Sequence, residues 1–143
     1  MLSKVIARLL TPTRVVHAHC DLPCGVYDPA QARIEAESVK AIQTKYQDAK
    51  AQKKPTETVE DYQARCLIIK EERADLVKHH LWVLWTDYFK PQHLQKYPQL
   101  HDLFWNATKE AGESKKSTDP GQGQKLLDLI GEIDNIFKDT KKA

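Results

Sequence analysis

Residues 58–88 read TVEDYQARCLIIKEERADLVKHHLWVLWTDY. Thr58, with Asp61 three residues on, is a capped helix start, because the hydroxyl can accept from a free N–H of the first turn. From there Val59, Tyr62, Cys66, Ile69, Leu76, Leu81, Leu84 and Trp85 keep close to a three-and-four spacing. That spacing predicts one long helix reaching Tyr88 with a single buried stripe. Arg73 falls on the stripe, where a charge needs a partner.

Upstream, Asp28-Pro29-Ala30-Gln31 is another helix start, with a capping aspartate, a proline at the first position and Gln31 where a capping box wants it. This helix runs to about Ala51 with Ile34, Val39, Ile42 and Tyr46 on its apolar side, and Lys53-Lys54-Pro55-Thr56 breaks it. Downstream, Pro91 and Pro98 bracket a bend, and a third helix turns Leu100, Leu103, Phe104, Ala107 and Ala111 inward. Gly112 to Gly123 reads as a polar loop. Asp119-Pro120 opens a fourth helix whose stripe is Leu126, Ile130, Ile133 and Phe137, with Leu129 and Ile136 beside it. Four amphipathic helices with short connections predict an all-α fold, an antiparallel four-helix bundle over residues 29–143.

Composition narrows the function. A chain of 143 residues supports one core, and a net charge of +2 gives no reason to expect a nucleic-acid partner. No run approaches the roughly 18–20 apolar residues that a membrane span needs. Three cysteines are too few for a disulfide scaffold, and two of them crowd into residues 20–24, which points to a metal or redox site in a reducing, cytoplasmic compartment. Residues 1–18, MLSKVIARLLTPTRVVHA, carry three basic residues and no acid, and without them the net charge falls to −1. A secretory signal would need a longer apolar run than Val5-Ile6-Ala7, which Arg8 interrupts. The plain reading of these residues is a flexible tail.

The chemistry concentrates in His19-Cys20-Asp21-Leu22-Pro23-Cys24-Gly25-Val26-Tyr27-Asp28-Pro29. Two thiolates and an imidazole this close in sequence can converge on one small cation without help from distant parts of the fold. Taken alone, Cys-x3-Cys beside a histidine is also compatible with half a structural zinc site, a dithiol redox pair, or surface cysteines of no consequence. Elsewhere His79-His80 is an adjacent pair whose rings should face different ways on a helix. His93 and His101 carry no ligand spacing, and Cys66 reads as a small buried hydrophobe. No Gly-rich phosphate loop, nucleophile elbow or His-Glu-x-x-His sequence occurs.

The whole string H-C-D-L-P-C-G-V-Y-D-P resembles the amino-terminal metal hook of the nickel superoxide dismutases. The likeness continues in DPAQARIEAESVKAIQ, IIKEERADLVKHH, LWTDYFKPQHLQKYPQLH and IDNIFKDTKKA; the segment 46–60 departs from it, being longer and richer in lysine. The resemblance implies residues 1–18 as a leader cut by a dedicated protease, residues 19–28 as a nickel-binding hook, and residues 29–143 as the bundle. It implies one nickel ion per subunit, superoxide as substrate, a Ni(II)/Ni(III) cycle, and assembly of six subunits.

Carried over by position, the amine of His19, the amide nitrogen of Cys20 and the thiolates of Cys20 and Cys24 form a square plane, with the His19 imidazole axial in the oxidised state. Anionic thiolate and amidate donors stabilise the higher metal charge, which aqueous nickel cannot reach in such a cycle. Glu35 matches a carboxylate that orients the His19 ring and Arg73 its partner, although a structural ion pair is an equally available reading. Tyr27 and Tyr88 match aromatics near the substrate approach, Asp21 a residue that holds the hook, and Lys90 could attract an anion at the entrance. From another class, the residues alone also allow a zinc- or nickel-binding interaction module without turnover.

Overall fold

The structure is a computed structural model and describes residues 25–142; the leader and His19, Cys20, Asp21 and Cys24 lie outside these. Helix α1 spans Ala30–Gln47 and the short α2 spans Ala49–Gln52. Helix α3 spans Val59–Val83 and runs into one π-helical turn, Leu84–Tyr88. A short α4, Pro91–Lys96, fills the bend between the two prolines, followed by α5, Leu100–Lys116, and α6, Pro120–Lys141. No strand occurs among the described residues.

The starts at Thr58 and Asp119 act as read, whereas α1 begins one residue later than expected, with Pro29 as its cap residue and no capping box through Gln31. Asp28 Oδ1 accepts from the Ala30 N–H at 2.7 Å, and Thr58 Oγ1 accepts from the Asp61 N–H at 3.1 Å while donating to Asp61 Oδ2 at 2.7 Å. Asp119 caps α6 through the Gly121 N–H at 2.9 Å, with Pro120 in the first position. Helix α1 packs on α3 and α6, and α5 packs on the same two. Contacts run in opposite directions along neighbours: Gln63 bonds Tyr46 while Arg73 bonds Glu35, and Lys70 bonds Ser117 while Trp85 stacks on Phe104. The helices therefore form an antiparallel four-helix bundle.

The core departs from the expected stripes in two places. Ile34 and Ile69 are exposed, and the buried line of α3 passes through Cys66, Lys70, Ala74, Val77, Leu81 and Leu84. In α1 it passes through Ala32, Ala36, Val39 and Gln43. Alanines let the backbones approach closely, so the large apolar residues beside them are left outside. The polar loop expected from Gly112 is also shorter, because α5 continues to Lys116.

That extension depends on Lys70, which is 1% exposed. Its ammonium donates to the carbonyls of Ser114 at 3.1 Å, Ser117 at 2.9 Å and Lys115. Gln43 Nε2 adds a bond to Ser117 O at 3.2 Å. The last carbonyls of a helix have no intrahelical donors, and a cation suits that end of the dipole. Burial pushes the Lys70 pKa down, opposed by Glu71, but three carbonyl acceptors need the charged, fully protonated donor.

Gly123 marks the tightest helix contact. A Cβ there would meet Gln43 Oε1 at 2.5 Å and the Lys40 backbone Cα at 2.8 Å, whereas one at Gly131 meets nothing within 4 Å. Gly123→Ala is expected to cost about 1–3 kcal/mol through overpacking, and Gly131→Ala to gain up to about 1 kcal/mol of helix propensity. Denaturant unfolding of the two variants checks the pair, and equal effects would contradict this packing.

Candidate active site

At the end of the bundle where residue 25 enters, a cleft of 330 Å³ is lined by Gly25, Tyr27, Asp87, Tyr88, Lys90, Gln92, His93 and Lys141. It gathers three of the residues singled out from sequence, Tyr27, Tyr88 and Lys90. Gly25, the residue after Cys24, has φ +71°, a left-handed conformation that glycine adopts without strain.

Tyr88 is the hub of the cleft. The π turn closes with Phe89 N–H donating to Leu84 O at 3.1 Å, and Lys90 leaves it in extended backbone before Pro91. The Tyr88 ring lies 5.9 Å from Tyr27, 4.6 Å from Phe137 and 5.0 Å from Phe89, and stacks on His93 at 5.8 Å. Its hydroxyl lies 2.8 Å from Thr140 Oγ1, and Thr140 donates its one hydroxyl proton to Phe137 O at 2.7 Å. Thr140 must then accept, so Tyr88 donates. His93 Nδ1 accepts from the Lys90 N–H at 3.2 Å, which puts the proton of the neutral ring on Nε2.

Glu35 and Arg73 also meet as expected, Arg73 Nη1 lying 3.2 Å from Glu35 Oε2. Glu35 is the more enclosed of the two, and it also acts on His80, two turns further along α3. Burial holds the His80 pKa below 6.5, His79 lowers it further, and Glu35 opposes both. The His79 and His80 rings sit edge to face at 5.5 Å, close despite their different directions. The sequence reading missed His80, His93, Thr140 and Lys141 as parts of these clusters. Nothing local marks them, since Thr140 is 52 residues from Tyr88 along the chain.

Among the described residues no group of three or more His, Cys, Asp or Glu could hold a metal ion. Cys66 is buried, and burial pushes its thiol pKa up, away from the thiolate a metal needs. A larger hollow of 510 Å³ between α3 and α5 is lined by Glu71, Lys78, Lys109 and Lys115 among others; it contains no thiol, imidazole or tyrosine. The described residues thus offer no thiolate and imidazole set of their own.

The depressed His80 pKa has a consequence for stability. Below about pH 6.5 the unfolded chain takes up this proton more readily than the folded one, so stability falls as pH falls through that value. His80→Gln is expected to flatten the loss between pH 7 and pH 5 in thermal unfolding. Parallel pH profiles for both proteins would contradict this.

Comparison with known proteins matches the family description "Nickel-containing superoxide dismutase" to residues 14–141. The chain is similar to "Superoxide dismutase [Ni]" of Streptomyces seoulensis, 56% identical over 139 residues, covering 97% of this chain and 100% of the relative. It is 54% identical to the protein of that description from Streptomyces coelicolor, with the same coverage. Among solved structures, a Ni-containing superoxide dismutase with the ligation of the oxidised state aligns with TM-score 0.78 and 58% identity over 87% of this chain and 100% of that one. A native structure at 1.30 Å aligns with TM-score 0.76 and 57% identity, with the same coverage. The chain belongs to the nickel-containing superoxide dismutases.

Proposed function

We propose that this chain, once cut between Ala18 and His19, disproportionates superoxide to oxygen and hydrogen peroxide at a hook formed by residues 19–28. The observation that carries the reading is the cleft where Gly25 enters the bundle, with Tyr27, Tyr88 and Lys90 around it. His19, Cys20 and Cys24 would hold the nickel ion, and the freed amine of His19 would join them. Nickel bound there supplies a one-electron couple between Ni(II) and Ni(III).

The remaining roles fall to the protein. Residues 19 to 25 span at most about 20 Å when extended, and Glu35 sits only about 10 Å along α1 from Asp28. The His19 imidazole can therefore reach Glu35, which its ion pair with Arg73 holds in place. Asp21 would help hold the hook, and Lys90 draws the anion. Tyr88 has committed its hydroxyl proton to Thr140. The Tyr27 hydroxyl, a hook thiol and water are the candidate proton sources for peroxide.

With the leader attached, the nitrogen of His19 is a peptide amide, so cleavage by a maturation protease is the activating step. Free thiols at the site favour the cytoplasm as its compartment, and no helix among the described residues is long and apolar enough to cross a membrane. A homohexamer covers the open cleft ends. Trp82 (53% exposed) and Trp105 (61% exposed) supply apolar surface for such contacts, alongside Ile34 and Ile68.

Metal analysis and superoxide assay of the cleaved protein test the reading. One equivalent of nickel with dismutation supports it; zinc without activity favours a metal-binding interaction module. Cys20→Ser or Cys24→Ser is expected to abolish both the thiolate-to-nickel absorption and turnover. His19→Ala is expected to keep nickel yet lose most activity, and full activity there would remove the imidazole from its role. For assembly, Trp82→Glu combined with Trp105→Glu is expected to shift sedimentation to smaller species. A monomeric wild type at micromolar concentration, with nickel bound, would overturn the hexamer.

A further inference from the structure

We propose that Lys141, in the last turn of α6, is a steering and specificity residue that draws the small monovalent anionic substrate into the Tyr27–Tyr88 cleft; the inference rests on the dismutase reading for the identity of that anion. Lys141 Nζ lies 5.1 Å from the Tyr88 ring centroid and 5.4 Å from that of Phe137. Two ring faces hold a side chain that would otherwise sample many rotamers in solvent. The ammonium is thereby kept on the cleft wall, beside the ring that contacts Tyr27.

The charge around it is arranged for an anion. Lys90 and Lys141 line the cleft from different elements, and Asp87 is the one acid in the lining. Thr86 shares its one hydroxyl proton between Asp87 Oδ1 at 2.6 Å and Trp82 O at 2.9 Å, which engages part of that carboxylate. Asp139, two residues before Lys141, is taken up outside the cleft by Lys96 at 3.2 Å and by the Tyr97 hydroxyl. The cleft is locally positive on a chain whose net charge is only +2. Attraction therefore comes from these few placed charges, and a local field of this kind raises the encounter rate for an anion without favouring neutral molecules. The same last turn fixes the target, since Thr140 accepts the Tyr88 hydroxyl proton.

The test has two arms. In the metal-free full chain, titration with sodium azide is followed by amide chemical shifts of Tyr27, Tyr88 and His93. Lys141→Gln is expected to weaken azide binding about threefold and Lys141→Arg to restore it, as removal and return of one nearby charge require. In the cleaved, nickel-loaded protein, Lys141→Gln is expected to lower kcat/KM by about two- to threefold at low salt, the deficit shrinking as ionic strength rises. The nickel absorption spectrum should be unchanged. Equal azide affinity and an unchanged salt slope in Lys141→Gln would overturn the proposal. Loss of azide binding in Lys141→Gln, with a wild type that takes up nickel but does not turn over superoxide, would keep the anion cleft and overturn the dismutase reading instead.

Discussion

One ammonium group holds the far end of this bundle together. Lys70 is buried on α3, and its three acceptors all belong to the end of α5 and the turn that follows. An unpaired buried charge would cost several kcal/mol, so the carbonyls must stay where the lysine needs them. Gln43 brings α1 to the same turn, and Asp119 starts α6 two residues after Ser117. Four helices are thus indexed to one point. Their lengths then decide which residues arrive at the opposite end, where the cleft lies.

Tyr88 plays the corresponding part at that opposite end. The π turn that carries it, the lead-in at Tyr27, the short α4 and the last turn of α6 all touch its ring or hydroxyl. A side chain constrained from so many sides has little freedom, and this is what a site for a small substrate needs, because such a substrate offers few groups to orient it. Around the aromatic rings the lining is polar, with two lysines against one acid, Asp87.

In the proposed reading, metal donation and substrate approach are built on different principles. The proposed donors His19, Cys20 and Cys24 lie within six residues, so that ligand set is nearly complete in the primary structure. The surroundings come from residues 27 to 141, which only the folded bundle assembles. The Glu35–Arg73 pair belongs to the second group, although both residues were legible from the family likeness. Their contact at 3.2 Å is the part that needed α1 and α3 to pack.

The sequence by itself determined the helix starts at Thr58 and Asp119, the inward faces of α5 and α6, and the local pattern from which the hook is proposed. Caps and periodicity act over three or four residues and a Cys-x3-Cys pattern over five, so no distant partner is needed to read them. It misled where a helix face is made of alanine. Ala32, Ala36 and Ala74 carry little hydrophobic signal, so Ile34 and Ile69 drew the stripe toward themselves and turned out to face solvent. Tertiary structure alone decided the rest. A lysine can be a solvated charge or a buried helix cap, and Lys70 is the second only because α5 ends against it. Thr140 and Lys141 join the cleft because antiparallel packing returns the chain's last turn to Tyr88, across a separation in sequence that no local pattern spans.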